Sequence, residues 1–170
     1  VTVRILPSRR VICSRTLEFP IPAGAVWGQM RDFYSTARHD PFHAHIQIDG
    51  HRPRAGAELL IEHRYLLARI VRHGRILRWQ EGTGFAFSDL SRSDSARGFP
   101  HVVSYRLEAV DPGNCRLHIR VTGRWTFPGP RWIGRLWLMW VFTHVAGRVE
   151  NGLMQYVLVM QRKRARGAED

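Results

Sequence analysis

Residues 105–125 read YRLEAVDPGNCRLHIRVTGRW. Two alternating runs flank Asp111-Pro112-Gly113-Asn114, four residues that favour a tight reversal, so the segment is a β-hairpin. Successive strand side chains point to opposite faces, and this sorts the second run. Leu117, Ile119, Val121, Trp125 and Phe127 share one face; Arg116, His118, Arg120 and Arg124 share the other. The first face belongs inside and the second in water. A sheet with one dry and one wet face is the antiparallel kind.

The same alternation extends upstream. Strands are predicted at 46–48, 57–65, 67–73, 75–82, 85–90 and 101–110, with a turn centred on His73-Gly74 and a polar loop over 91–98. Before them, Val11, Cys13, Leu17 and Phe19 alternate in a strand that Pro20 and Pro22 end. Residues 23–34 follow as a helix, with Val26, Trp27, Met30 and Phe33 on one stripe. Asp40-Pro41 reads as a cap and first-turn proline opening a second short helix or turn. Downstream, Pro128-Gly129-Pro130 stops the sheet. A long helix then covers about 131–161, where Ile133, Leu136, Trp137, Trp140, Val141, His144, Val145, Val149, Leu153, Tyr156, Val157 and Met160 recur at helical spacing. The expected architecture is α+β. A curved antiparallel sheet of about seven strands wraps a long C-terminal helix, with two short helices after the first strand.

Composition bounds the rest. The 170 residues fit a single domain, 1–170, with its core at about 9–161 and a basic, frayed, solvated tail at 162–170. Cys13 and Cys115 are too few for a disulfide scaffold and read as buried thiols. No apolar run reaches the ~18–20 residues of a membrane span. No short apolar signal core opens the chain, which begins at Val1, and a cytoplasmic location is expected, with a peripheral position at a membrane as the alternative. The net charge is +12, from 26 Lys+Arg against 14 Asp+Glu, and Lys163 is the only lysine. Arginine-favouring codon usage produces the same skew, so the charge alone is weak support for a polyanion partner. No nucleic acid is expected: no recognition motif is present, and the aromatics fall on the inward face rather than among the arginines.

The element order resembles the helix-grip fold of the SRPBCC superfamily, which includes START lipid-transfer domains, birch-pollen-allergen-like proteins and bacterial polyketide cyclase/dehydrase-like proteins. The resemblance spans roughly 9–161. It rests on the order of elements and on three local echoes: FPIPAGAVWGQMRDFY over 19–34, the hairpin quoted above, and the terminal amphipathic helix. It implies a cavity between sheet and terminal helix that holds a small hydrophobic molecule. It fixes no chemistry, because carriers, receptors and enzymes share the fold.

Alternation nominates the groups facing that cavity. His63 and Tyr65 point inward from 57–65; Leu77, Trp79 and Glu81 from 75–81; Phe87 and Asp89 from 85–89; His101, Val103, Tyr105 and Leu107 from 101–109. Trp125, Trp137, Trp140 and His144 complete the set of ligand contacts. A mostly apolar pocket with a few convergent polar groups is the usual form of a small-molecule site. Glu81, His101 and Tyr105 are the catalytic candidates. Desolvation raises a carboxylate such as Glu81 toward neutrality, where it serves as acid or base. His101 or His144 can do the same or polarise a carbonyl, and Tyr105 can donate to a developing enolate. The plainer alternative is that these groups satisfy one another or hold water, with the aromatics as core.

Other motifs are set aside. His39, His43 and His45 in HDPFHAH have metal-like spacing, but Pro41 interrupts a helix and no Glu or Cys completes a ligand set, so the cluster reads as a loop near the cavity mouth and no metal is expected. GTGFAF over 82–87 lacks the lysine and helix of a phosphate loop, and no other cofactor signature is present. Trp132, Trp137, Leu138, Met139, Trp140 and Phe142 make the last helix apolar on more than one face. Packing on the short helices, a homodimer contact, a cavity lid and a membrane-surface contact all account for the surplus. The expected function is binding of a lipid, polyketide, steroid-like or aromatic metabolite, as carrier or sensor. The alternatives are a cyclase/dehydrase or isomerase in the same cavity, and a membrane-docking lipid handler.

Overall fold

A computed structural model describes residues 1–37, 43–50, 52–65, 68–89, 99–126 and 129–166. Eight strands form one sheet: β1 (Thr2–Ile5), β2 (Arg10–Phe19), β3 (His43–Ile48), β4 (Glu58–Tyr65), β5 (Ala68–Gln80), β6 (Gly84–Ser88), β7 (His101–Asp111) and β8 (Asn114–Arg124). Their spatial order is β1-β2-β8-β7-β6-β5-β4-β3, and every neighbouring pair is antiparallel. Helices α1 (Ala23–Met30) and α2 (Phe33–Ala37) lie between β2 and β3, and α3 (Arg131–Arg166) follows β8. The sheet has one strand more than the expected seven, because Thr2–Ile5 adds an edge to β2.

The 105–125 hairpin forms as read. Asp111 Oδ1 accepts hydrogen bonds from the Gly113 N–H at 2.8 Å and the Asn114 side chain at 2.9 Å, closing the turn. Leu117 and Ile119 are buried, while Arg116, Arg120 and Arg124 are exposed on the other face with Arg64, Arg78 and Arg106.

Four local expectations change. The turn at His73-Gly74 does not exist: 67–73 and 75–82 belong to one continuous strand, β5, in which Gly74 pairs with Leu59. Gly74 is there because the sheet passes close. A Cβ would overlap the Ser88 carbonyl oxygen and stand 3.2 Å from Ile61 and 3.3 Å from Leu59. A bulge between Ile76 and Arg78 then inverts the alternation, so Ile76 is buried and Leu77 faces water at 50 % exposure. The helix expected over 23–34 breaks at Arg31-Asp32, where Asp32 Oδ1 accepts the Ser35 N–H at 3.2 Å and starts α2. The second short element is therefore Phe33–Ala37, and the Asp40-Pro41 reading lies outside the described residues.

The long helix extends to Arg166, into the segment expected to fray. It buries Leu138, Phe142, Val145, Ala146, Val149, Leu153 and Val157. Ile133, Leu136, Trp140 and His144, which share its periodicity, face water. Gly134 sets that rotation. A Cβ there would stand 2.7 Å from the ring of the buried Trp125, so the helix can seat its first turn on this indole only through glycine. The core lies between the inward face of the sheet and the helices, with Phe19, Met30, Phe33, Phe85 and Phe87 among its largest buried side chains.

Candidate functional site

A cavity of about 60 Å³ lies between the sheet and α3. Its apolar wall comes from Phe87, Val103, Ile119 and Val121 on the strands, Phe99 before β7, and Trp137, Leu138, Val141, Phe142 and Val145 on α3. Its polar groups are His43, His101, Tyr105 and Cys13. Burial pushes the Cys13 thiol up to about 12, so it remains protonated and is no nucleophile near neutrality.

Both cavity histidines are oriented by backbone carbonyls. His43 Nδ1 lies 3.0 Å from the Ala37 oxygen, and His101 Nδ1 lies 2.8 Å from the Phe99 oxygen. A carbonyl only accepts, so each Nδ1 carries the proton. Asp89 reinforces His101 twice: Oδ1 accepts the His101 backbone N–H at 2.7 Å, and Oδ2 lies 3.2 Å from Nδ1. The rings of His43 and His101 are parallel to within 3°, with centroids 6.3 Å apart. Phe99 stacks on His101 at 5.1 Å.

Behind this wall is a charged pair sealed from water. Arg72 donates to Asp89, and both side chains are fully buried. Arg72 also donates to the Phe99 carbonyl at 3.2 Å. Burial alone would raise the Asp89 pKa. The positive charge and hydrogen bond of His101, with Arg72, outweigh it and hold the carboxyl well below its usual range. His63 stands edge-on to His43 at 4.9 Å, with Nε2 3.7 Å from Asp89 Oδ2, too far for a hydrogen bond. Burial foremost, then neighbouring His43, pushes His63 down to about 2, so its ring is neutral.

The structure separates the sequence-nominated residues into groups. Phe87, His101, Val103, Tyr105 and Trp137 line the cavity. Asp89 and His63 are buried behind it and act on it through His101 and His43. Glu81 is exposed beyond the end of β5. It accepts the Trp27 indole N–H at 2.7 Å and the Trp79 N–H at 3.4 Å, tying α1 to the sheet rather than facing a ligand. Trp79 stacks on Phe85 at 5.3 Å, away from the cavity, and Trp125 packs on Trp137 at 5.9 Å. Trp140 and His144 stack on each other on the outer face of α3. The side chain of Tyr65 lies outside the described residues, as does His39.

Sequence reasoning missed His43 and Arg72. The register slips between His43 and His45, so the parity of Ile46 and Ile48 does not carry back to His43, which is buried rather than in a surface loop. Arg72 has the parity of Gly74 and Ile76, but the expected turn at 73–74 severed that link. Among the described residues, no cluster of His, Cys, Asp and Glu is arranged to hold a metal ion.

No protein-family model matches the sequence, and no curated protein is similar to it. Solved structures are similar in shape. A START superfamily protein from Mycobacterium smegmatis superposes with a TM-score of 0.64 at 16% identity, over 85% of this chain and 97% of that one. The Zhui aromatase/cyclase from Streptomyces sp. R1128 gives 0.65 at 14% identity, over 93% and 98%. Ara h 8.0201 gives 0.58 at 14%, over 86% and 99%. With the eight-stranded sheet and the terminal helix across it, these likenesses establish that the chain has a START-like helix-grip fold.

Proposed function

We propose that this protein binds a compact, mostly apolar molecule with one hydrogen-bonding group in the cavity between sheet and α3, as a carrier or sensor. The supporting observation is the wall itself: aliphatic and aromatic side chains over most of it, with the parallel His43 and His101 rings as a polar patch. An apolar body with a carbonyl or hydroxyl at one end matches that distribution. The volume of about 60 Å³ favours the aromatic end of the metabolite range over a steroid or polyketide. Sites that enclose drug-sized ligands measure ~300–1,000 Å³, so even a two-ring ligand enters only as α3 moves off the sheet. The START-like helix-grip fold, with a START protein among its structural neighbours, supports the same reading.

The test is calorimetric titration with 2-naphthol, two fused rings bearing one hydroxyl. Saturable one-to-one binding is expected. Val141→Trp fills the cavity from the half-buried face of α3 and should weaken binding at least ~10-fold while the variant stays folded by circular dichroism. Absence of binding by the parent protein, or equal binding by a folded Val141→Trp variant, would overturn the proposal.

One observation favours a second reading, acid–base catalysis of the cyclase or isomerase type. His101 is a cavity-wall imidazole oriented by a buried carboxylate, the arrangement that fixes a tautomer for proton transfer. An aromatase/cyclase also stands among the structural neighbours. On this reading His101→Gln keeps ligand binding and abolishes turnover, whereas equal loss of both marks His101 as a binding group only.

A further inference from the structure

The first turns of α3 carry an apolar surface that no other described residue covers. Trp132 is 64 % exposed and Trp140 65 %, with Ile133, Leu136 and Met139 also exposed beside them. All lie on the face opposite the buried Leu138–Phe142–Val145 stripe. A contiguous apolar patch of this kind marks a surface that meets something other than water.

The charges around it say what. Arg135 and Arg148 are exposed to either side of it, and Arg131 is exposed at the N-terminal end of the helix. The first turn of α3 has no acidic residue, and the positive end of the helix dipole lies there. The sequence has no Asp or Glu between residues 112 and 149, and none in the first 17 residues. Those two segments meet in space, since the Trp125 N–H donates to the Arg9 carbonyl at 2.9 Å. A second copy of this chain is a poor occupant, because a two-fold interface would set this cationic rim against itself.

We propose that this face of α3 docks on an anionic lipid surface. The helix lies in the plane of the interface, with the two indoles at headgroup depth and the flanking arginines on lipid phosphates. No described helix is long and apolar enough to cross a membrane, so the contact is one of lying on the bilayer. The inference does not depend on the cavity reading.

Co-sedimentation with vesicles tests it. Vesicles of phosphatidylcholine with an equal part of phosphatidylglycerol should bind the protein at least ~10-fold more tightly than phosphatidylcholine alone, and added salt should weaken the binding. The exposed double substitution Trp132→Ala/Trp140→Ala should lose roughly 10-fold or more with its circular dichroism unchanged. A fluorophore on Leu136→Cys, selective because Cys13 and Cys115 are buried, should shift to the blue on anionic vesicles. No preference for the anionic vesicles, undiminished binding by the tryptophan variant, or a fluorophore that stays in water would each overturn the proposal. So would a dimer in sedimentation equilibrium that the tryptophan substitutions dissociate, which would assign the face to a second copy.

Discussion

Asp89 shows how much one buried side chain organises. It pairs with Arg72, receives the His101 backbone N–H and orients the His101 ring, which belongs to the cavity's polar patch. The neighbouring His63 makes the arrangement sensitive to acid. Its folded pKa, pushed down to about 2, lies below the ordinary value near 6.5. The unfolded chain therefore binds a proton that the folded chain refuses, and stability falls as pH drops below about 6.5. Asp89 adds to the loss at lower pH. Its folded pKa is depressed, so its contribution is present above the usual carboxylate range and is lost as pH falls through the folded value. Urea unfolding between pH 7 and 4 should show stability declining toward acid. His63→Gln, which does not titrate, should flatten the slope by about 1.4 kcal/mol per pH unit at its steepest. An unchanged slope would mean that His63 is protonated in the folded protein.

At the scale of elements, Gly74 and Gly134 do opposite things to a sequence reading. Gly74 beside His73 looks like a turn, yet it lies mid-strand where β5 leaves no room for a Cβ against the Ser88 carbonyl. Gly74→Ala should destabilise the protein by about 2 kcal/mol in thermal or urea unfolding, through forced separation of backbone atoms. A neutral effect would place the glycine in an open turn. Gly134 sits inside a helix, where replacement by alanine ordinarily stabilises by up to ~1 kcal/mol. Here the added Cβ meets the Trp125 ring at 2.7 Å, so Gly134→Ala should destabilise instead. The strands of the 105–125 hairpin were legible because alternation and turn chemistry agree along it. β5 was not, because a glycine and a bulge each imitate a boundary or invert a face without any sign in residue type.

Over the whole molecule, charge and apolar surface are partitioned. The outward face of the sheet carries Arg64, Arg78, Arg106, Arg116, Arg120 and Arg124, and Arg10 faces Arg124 across two strands. A net charge of +12 repels itself, and salt screens that repulsion. Raising sodium chloride from low to physiological strength should raise the melting temperature by about 2–4 °C, the equivalent of ~1 kcal/mol for a chain of this size. Arg10→Glu should reduce that salt dependence, and a melting temperature that falls with salt would show ion pairs outweighing repulsion. The sequence by itself determined the antiparallel sheet, its wet arginine face, the long terminal helix and the inward placement of Phe87, His101, Val103 and Tyr105. These follow from local periodicity, which each strand or helix expresses in its own side chains. Only the tertiary structure decided which stripe of α3 is buried, that Glu81 ties α1 to the sheet, and that His43, Arg72 and Asp89 meet around His101. Those outcomes depend on bulges that reset parity and on Trp125 fixing the rotation of a helix with two apolar faces. Both are contacts between residues far apart in the chain, where no local pattern can record them.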